Sequence, residues 1–260
     1  GIAGVEKRME DKLAAGHKIS LSIDLGVQAV VRRALAKQIE TFEALGGTGL
    51  VTKIKTGEII AITSLPDYDP NRYATAKTEA LFNQATKGVF EMGSIFKVLN
   101  TAIALEVGSA GLNSTYDVTR PLRVGSFPIR DYHPYDRFLN LSEVFVFSSN
   151  IGSARIAEDI SPNIQRSYMD KLGLLERPTL ELTETAQPLY PARWGRLSSY
   201  TISFGHGISV SPIHVAGAVS AAAGTGEFIA PTLLKRKPGE LFERVRIFSN
   251  ETTRKVRSMM

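Results

Sequence analysis

The sequence predicts a mixed fold of helices and strands, of the α/β class in its α+β form. A long amphipathic run at residues 28–43 indicates a helix. Two β-rich segments, at residues 49–55 and 58–64, flank Gly57, a pattern typical of a hairpin in which glycine supplies the positive φ. Residues 94–106 include few polar positions, so we expect a second helix that is buried in the core.

Residues 1–22 have the sequence pattern of an N-terminal arm that precedes the core domain. Residues 5–13 are charged and have a helical pattern. Residues 18–25 alternate apolar with polar or small side chains, as an extended segment does. We interpret residues 1–22 as an N-terminal arm that links to a region outside this chain, and residues 23–260 as the main domain.

Capping signals predict helices in the second half of the chain. Asn140 and Glu143 have the spacing of a capping pair at the start of a short apolar helix, and residues 151–158 continue as another helix. A helix of small residues is bracketed by Ser211 as N-cap, Pro212 at the first helical position and Gly224 just past its end.

Composition and charge exclude several classes of function. The 31 basic and 26 acidic residues give a net charge of +5 without a dense basic block, so we expect no nucleic-acid partner. The chain has no cysteine, and its four histidines lack the close helical pairing of a zinc site, so we expect no metal. Since no stretch reaches the roughly 18 apolar residues of a membrane span, we expect any membrane anchor to lie outside this chain.

A hydroxyl and an amine lie three residues apart at the start of the predicted helix 94–106. At this spacing Ser94 and Lys97 project from one face, and the amine can reach the serine oxygen. Burial on an apolar helix favours the neutral amine, which lowers the pKa of Lys97 and makes it a base for Ser94. The N–H groups at the helix N-terminus stabilise negative charge near the nucleophile. A Ser-x-x-Lys spacing alone also arises by chance on many helices.

A second polar group follows at the junction between two predicted helices. Ser148 is suited to relay a proton between Lys97 and a leaving group, and the Asn150 amide offers a donor and an acceptor to an amide-bearing substrate. Taken alone, the tripeptide 148–150 is better explained by capping of the helix that follows. What favours catalysis is the order of the two motifs along the chain.

This order resembles that of the penicillin-recognising serine enzymes, and the chain is most similar to class B penicillin-binding proteins of the cell-division type. The likeness runs along nearly the whole chain. Elongation-type members usually carry Pro-Gly before the nucleophile and Asp in the second motif, so Met92, Gly93 and Asn150 favour the division type. The segments that carry the likeness are 4–6 (GVE), 55–59 (KTGEI), 69–71 (DPN), 91–97 (EMGSIFK), 148–152 (SSNIG) and 203–207 (SFGHG).

The resemblance implies a transpeptidase fold with an antiparallel sheet covered by helices beside a helical lobe. It implies a D,D-transpeptidase that crosslinks peptidoglycan stem peptides without a cofactor: Ser94 forms the acyl-enzyme and Lys97 takes its proton. Ser148 and Lys97 then return a proton to the departing D-Ala, while Asn150 binds the donor peptide. The implied partners are stem peptides, β-lactam antibiotics and other cell-division proteins, on the periplasmic side of the bacterial inner membrane.

The family completes its site with a Lys-Thr/Ser-Gly triplet on an edge strand. The one Lys-Thr-Gly here, at residues 55–57, precedes Ser94 and lies at the predicted hairpin tip, so we assign it to the hairpin and not to catalysis. Residues 231–260 contain no such triplet. We therefore expect the domain over residues 23–260 to stop before the third motif and its C-terminal strands, and a fragment of this extent to acylate poorly.

Two other functions remain open at the level of sequence. A β-lactamase or D,D-carboxypeptidase needs an activated water for deacylation, and rapid turnover of penicillin would favour it. A non-catalytic penicillin-binding-like scaffold or sensor is favoured if loss of the Ser94 hydroxyl leaves cell division unimpaired. The carboxylates Glu91 and Asp131 flank the motifs but are given no role. The glycines around His206 indicate a backbone bend near the site and not proton transfer.

Overall fold

The computed structural model describes residues 1–125 and 127–260, which fold into helices and short strands. The helices are α1 (Gly4–Arg8), α2 (Glu10–Ala14), α3 (Leu25–Thr41), α4 (Phe96–Glu106), α5 (Leu141–Val146), α6 (Asn150–Ile160), α7 (Pro162–Lys171), α8 (Arg196–Ser203), α9 (Pro212–Ser220) and α10 (Asn250–Met259). The strands are β1 (Gly47–Thr52), β2 (Ile59–Leu65), β3 (Thr115–Asp117), β4 (Leu122–Val124), β5 (Phe127–Ile129), β6 (Phe138–Asn140), β7 (Glu227–Phe228) and β8 (Val245–Arg246). They form the antiparallel pairs β1–β2, β3–β6, β4–β5 and β7–β8. The predicted mixed fold is confirmed.

Helix α3 packs on the β1–β2 hairpin. It begins after Asp24, whose carboxylate accepts hydrogen bonds from two N–H groups of the first turn. Gly49 in β1 allows the close approach of the helix, because a Cβ there would lie 2.6 Å from Val31. At the tip of the hairpin Gly57 has a φ of +70°, which confirms the predicted turn.

Helix α4 is the centre of the main hydrophobic core. It packs against α6, α8 and α10, and Phe96, Leu99 and Ile103 have no exposed surface. The prediction that this apolar segment is a buried helix is therefore confirmed, since most of its side chains pack against other helices. The α-helix begins at Phe96, two residues after the predicted start, because Gly93–Ile95 forms a single 3-10 turn before it.

The predicted start of α5 is confirmed in detail. The side-chain oxygen of Asn140 accepts a hydrogen bond from the N–H of Glu143 at 2.9 Å. The Glu143 carboxylate accepts one from the N–H of Asn140 at 2.9 Å. This reciprocal capping box satisfies two backbone donors that the helix itself leaves unpaired. It thereby fixes the point at which the chain turns into the second motif.

Helix α9 starts as predicted and ends differently. Ser211 is its N-cap and a proline occupies the first helical position. The predicted end just before Gly224 is wrong: α9 ends at Ser220, and the chain continues through one π turn, Ala221–Thr225. Small alanine side chains permit this wider turn, and Gly226, with a φ of +81°, ends it.

The N-terminal residues are hydrogen-bonded to the domain. The hydroxyl of Ser22 donates to the carbonyl of Ile59 at 2.7 Å, and the N–H of Gly4 donates to the carboxylate of Glu184 at 2.7 Å. The arm therefore lies against the hairpin and against the connection between α7 and α8. Across residues 1–125 and 127–260, no helix combines the length and the apolar character needed to cross a membrane.

Candidate active site

Ser94 lies in the tight turn that leads into α4. The chain enters this turn through Gly93, whose φ of +58° favours glycine because a side chain would be strained there. Ser94 is exposed, and it stands at the N-terminal end of the helical segment. Backbone N–H groups and the positive end of the helix dipole at this point stabilise negative charge. The turn thus presents a hydroxyl to solvent where an oxyanion would be favoured.

A backbone bend at Gly205 and Gly207 contacts this turn. Gly205 and Gly207 have φ values of +82° and +76°, and the N–H of Gly93 donates to the carbonyl of Gly205 at 3.2 Å. A Cβ at Gly205 would lie 1.8 Å from the carbonyl oxygen of Gly93, so no larger residue fits. The bend predicted around His206 is therefore confirmed, and its backbone is in direct contact with the turn at residues 93–95, called the nucleophile turn after the role predicted for Ser94.

Glu91 provides a second hydrogen-bonded connection between the glycine bend and the turn that carries Ser94. Its carboxylate accepts a hydrogen bond from the N–H of Gly207 at 2.7 Å. Next to it, Phe90 and Val210 exchange two backbone hydrogen bonds of 2.9 and 3.0 Å. Sequence reasoning missed Glu91. The available signal was its position directly before the motif, together with a glycine-rich segment that needed an acceptor for its N–H groups.

Lys97 is buried on α4 and its amine contacts the second motif. It is 3% exposed. Its Nζ donates to the carbonyl oxygen of Ser148 at 2.5 Å and to the Ser148 hydroxyl at 2.9 Å. Burial, which penalises the ammonium form, lowers the pKa of Lys97 to about 8, and the charge of Asp131 opposes this shift. An amine with this pKa exchanges protons readily near physiological pH, as a general base requires.

The amine is connected to one of the two predicted hydroxyls. Among the described residues, its hydrogen bonds run to Ser148 and none runs to Ser94. Lys97 and Ser94 are nevertheless one helical turn apart on the same segment. Catalytic hydrogen bonds are often long before substrate binds and tighten in the complex. The arrangement is therefore suited to proton transfer among an exposed serine, a buried amine and a second hydroxyl.

The second motif has two candidate roles, helix capping and the presentation of a hydroxyl group, and a different serine performs each. Ser148 is exposed and has a φ of +56°, an uncommon conformation for a residue with a side chain. It presents its hydroxyl to Lys97. Ser149 is buried and caps α6 by accepting a hydrogen bond from the N–H of Gly152 at 2.8 Å. Capping and the presentation of a hydroxyl thus belong to different residues.

Asp131 binds the second motif from the loop before β6. Its carboxylate accepts hydrogen bonds from the Ser149 hydroxyl at 2.7 Å and from the N–H groups of Asn150 and Ile151 at 2.5 and 3.0 Å. Asn150 is half-buried as a residue, and its side-chain amide donates an exposed hydrogen bond to the carbonyl of Arg130 at 3.1 Å. Asp131 is the second carboxylate that sequence reasoning missed, because nothing in its local sequence shows that it reaches α6.

Comparison with known proteins identifies the family. The family described as "Penicillin binding protein transpeptidase domain" matches residues 47–260, which is most of the chain. This chain belongs to that family. The chain is the transpeptidase domain of a class B penicillin-binding protein, as the sequence resemblance implies, and its fold matches that of a solved TP domain of a penicillin-binding protein.

Curated relatives align with the transpeptidase domain along nearly its whole length. It is 40% identical over 265 residues to the probable peptidoglycan D,D-transpeptidase FtsI of Caulobacter vibrioides, covering 100% of this chain and 45% of that protein. It is 31% identical over 248 residues to the peptidoglycan D,D-transpeptidase FtsI of Escherichia coli strain K12, with 95% and 42% covered. The chain therefore spans less than half the length of these relatives.

A solved structure of the same kind of domain is also similar. The apo TP domain of Burkholderia pseudomallei penicillin-binding protein 3 matches with a TM-score of 0.81 at 29% identity, covering 92% of this chain and 68% of that one. The transpeptidase domain therefore shares its architecture, and not only its motifs, with a penicillin-binding protein.

The Lys-Thr-Gly tripeptide of this transpeptidase domain lies at the tip of the β1–β2 hairpin. A Cβ at Gly57 would lie 2.6 Å from the carbonyl oxygen of Ala230. The Thr56 hydroxyl donates to Glu58 at 2.8 Å, and its carbonyl accepts a hydrogen bond from Arg236 at 2.7 Å. These contacts hold the hairpin tip against residues 230–236, which supports its assignment to a structural turn.

Proposed function

We propose that this chain is the catalytic domain of a serine D,D-transpeptidase that crosslinks peptidoglycan stem peptides during septal wall synthesis and is a target of β-lactams. The observation that carries the proposal is the contact between the buried amine of Lys97 and the Ser148 hydroxyl, one helical turn from the exposed Ser94. The printed names of the FtsI relatives support the same reaction.

In the proposed acylation, the Ser94 oxygen attacks the carbonyl carbon of the penultimate D-Ala of a stem peptide. The hydroxyl proton passes to the neutral amine of Lys97, whose lowered pKa suits it to this role. The N–H groups at the start of the helical segment stabilise the oxyanion. The bond to the terminal D-Ala then breaks, and its nitrogen takes the proton from Lys97 through the Ser148 hydroxyl.

In the proposed second half-reaction, an amine of a neighbouring stem attacks the acyl carbon. Lys97 removes the proton of this amine and returns one to the Ser94 oxygen as the ester bond breaks, so the enzyme is restored and a crosslink has formed. Asn150 binds the donor peptide through its amide. A β-lactam acylates Ser94 in the same way as the stem peptide. Its leaving nitrogen remains tethered to the acyl group, so the adduct persists.

On this proposal, residues 23–260 form the part of the domain that carries the first two motifs, and this domain acts on the periplasmic side of the bacterial inner membrane. Residues 1–22 form the arm that connects this domain to a membrane anchor and a further region outside this chain. The hydrogen bonds of Gly4 and Ser22 support an arm that is held against the domain. Other cell-division proteins are the expected partners, because the sequence resembles the cell-division type of this family.

An assay of both half-reactions tests the proposal. The full-length protein is incubated with a synthetic stem peptide that ends in D-Ala-D-Ala and with a labelled amine acceptor, and the products are separated by mass spectrometry. We expect labelled amide together with an equal amount of D-Ala. Ser94→Ala should abolish both products, whereas Ser258→Ala, which alters an exposed serine in α10, should leave them unchanged.

The other outcomes distinguish the alternatives. Release of D-Ala without labelled amide would favour a D,D-carboxypeptidase, and rapid turnover of penicillin would favour a β-lactamase. Normal product formation by Ser94→Ala would refute Ser94 as the nucleophile. Formation of neither product, together with unimpaired cell division in a Ser94→Ala strain, would favour a scaffold or sensor.

A further inference from the structure

The second motif is anchored by a carboxylate from another part of the chain. Asp131 lies between β5 and β6, and its two oxygens accept three hydrogen bonds from three consecutive residues at the start of α6. Helix α6 already has its own cap in Ser149. A helix leaves its first four N–H groups without an intrahelical partner, and Asp131 accepts from two of them, those of Asn150 and Ile151, which the Ser149 hydroxyl leaves unpaired.

The anchored residues adjoin the strained residue that contacts Lys97. Ser148 has a φ of +56°, and a residue persists in such a conformation only when its surroundings fix it. On one side its N–H donates to the carbonyl of Phe145 at 3.1 Å. On the other side, the Ser149 hydroxyl accepts from α6 and donates to Asp131. The carboxylate thus fixes the backbone on the C-terminal side of Ser148.

Asp131 also acts on Lys97 through its charge. Among the described residues, Asp131 is the one charged group that appreciably affects the lysine, and it favours the ammonium form against the effect of burial. The ion pairs found among the described residues do not include one between Lys97 and Asp131. The charge therefore acts across the second motif, in a partly buried environment where screening is weak.

We infer that Asp131 is a positioning residue of this site: its carboxylate holds the turn at 148–150 in the conformation that meets Lys97, and its negative charge balances the buried ammonium. The inference rests on the proposed function of Ser94, Lys97 and Ser148. It adds a residue that lies outside both motifs and that does not itself touch the substrate.

The substitution Asp131→Asn separates charge from shape. Asparagine has the same size and no charge; its one oxygen can accept from the N–H groups of Asn150 and Ile151, while its NH2 group replaces the oxygen that accepts from the Ser149 hydroxyl. Without the charge, the ammonium of Lys97 is less favoured, so the midpoint of its titration should fall. At a pH above the Lys97 midpoint, where the amine is neutral in both proteins, acylation of Ser94 by penicillin should slow by about tenfold or more, as expected when charge-assisted hydrogen bonds are replaced by neutral ones. The matched control is Asp136→Asn, which changes an exposed carboxylate of the same loop.

Both quantities are measured on the full-length protein. The Lys97 titration is followed by NMR with lysine labelled at Cε, and its signal is assigned by its loss in Lys97→Met. The acylation rate is measured with a fluorescent penicillin. We expect Asp131→Asn to lower both the titration midpoint and the rate, and Asp136→Asn to change neither. A lower melting temperature with an unchanged midpoint and rate would overturn the inference, because Asp131 would then be only a structural cap.

Two further arms keep the test decisive. If Asp131→Asn does not fold, Asp131→Glu retains the charge but displaces the carboxylate by one methylene, so it should preserve the titration midpoint and still slow acylation. An unchanged acylation rate in Asp131→Glu would contradict the positioning role. If penicillin does not acylate even the native protein, the proposed function fails, whereas the Lys97 titration still tests the charge effect of Asp131.

Discussion

The amine of Lys97 lies 2.9 Å from the hydroxyl oxygen of Ser148 and 2.5 Å from its carbonyl oxygen, although 51 positions separate the two residues in the chain. The contact joins α4 to the junction between α5 and α6. Because Lys97 is buried, it has little access to water, and we expect its proton to be exchanged through the groups at this contact. The predictions below follow from this geometry and from the segments that support it.

The rate of acylation should depend on the protonation of Lys97. Burial lowers its pKa to about 8. On the proposed mechanism the neutral amine is the base, so the rate constant for acylation by a fluorescent penicillin should rise with pH through about 8 and level off above it. Lys97→Met should lower the rate by about 10² to 10⁴, the usual contribution of a general base.

The matched control for that experiment is Lys87→Met, which alters an exposed lysine that precedes the nucleophile turn. It should retain both the native rate and the native pH profile. A profile that is flat between about pH 6 and 10, or one that persists in Lys97→Met, would show that another group is the base.

Replacing Ser148 or Ser149 by alanine should have different effects, one on the acylation rate and the other on the free energy of unfolding. Ser148→Ala removes an exposed hydroxyl that contacts Lys97, so acylation should slow by about 10² while the free energy of unfolding changes little. Its φ of +56° is as strained for alanine as for serine. Ser149→Ala removes a buried cap and should lower the free energy of unfolding by about 1 to 2 kcal/mol.

Urea unfolding and acylation kinetics, measured on both variants, test this division. The division of tasks would be refuted if Ser148→Ala destabilised the protein as much as Ser149→Ala and left acylation at the native rate.

The sequence is most informative where a local signal decides the structure. The capping box of Asn140 and Glu143 and the turn at Gly57 were predictable because the residues involved lie within a few positions of each other. The direction of the Lys97 pKa shift was also predictable, since the apolar residues around it indicate burial. In the site, the order of the two motifs sufficed to nominate Ser94 and Ser148.

Features that depend on distant contacts were not predictable from the sequence. Helix α8 is rich in serine and threonine, which favour helices weakly, and it forms where Tyr200 is buried against α6. Asp131 and Asp136 look alike in the sequence, yet only Asp131 bonds to the start of α6. Such residues are identified by the tertiary fold, because no periodicity or cap marks them.

The contact between Gly205 and the nucleophile turn should be intolerant of any side chain. Gly205→Ala combines a φ of +82° with a Cβ placed 1.8 Å from the carbonyl oxygen of Gly93. We expect a loss of about 2 to 4 kcal/mol in the free energy of unfolding, with slower acylation because the turn must move.

Gly108→Ala is the control for that substitution. It shares a positive φ, of +71°, but its Cβ would have no atom within 4 Å. It should cost only the backbone strain, of about 1 kcal/mol, and leave acylation unchanged. Equal effects of the two variants in urea unfolding and acylation would show that the contact with Gly93 is not important.

Stability should fall below neutral pH because of His214. This residue is buried; its Nδ1 accepts from the N–H of Ser211 at 3.1 Å, and its Nε2 lies 2.9 Å from the carbonyl oxygen of Glu176, to which it donates. Burial lowers the pKa of His214 from its ordinary value of 6.5. As the pH falls, His214 therefore takes up a proton at a higher pH in the unfolded chain than in the folded protein. The stability that is present above pH 6.5 is lost as the pH falls further.

Melting temperatures between about pH 7.5 and 5 measure this effect. The native protein should lose a few degrees more over this range than His214→Gln, in which the titrating group is absent. His133→Gln, at an exposed position, should behave like the native protein. An identical pH dependence in His214→Gln and the native protein would rule out His214 as the source.

The most direct test of the catalytic assignment is the site of the covalent penicillin adduct. The full-length protein is incubated with benzylpenicillin, digested, and mapped by mass spectrometry. The proposed mechanism predicts one adduct, on Ser94, which is absent in Ser94→Ala and accumulates more slowly in Ser148→Ala. An adduct on another residue, or undiminished labelling of Ser94→Ala, would contradict it.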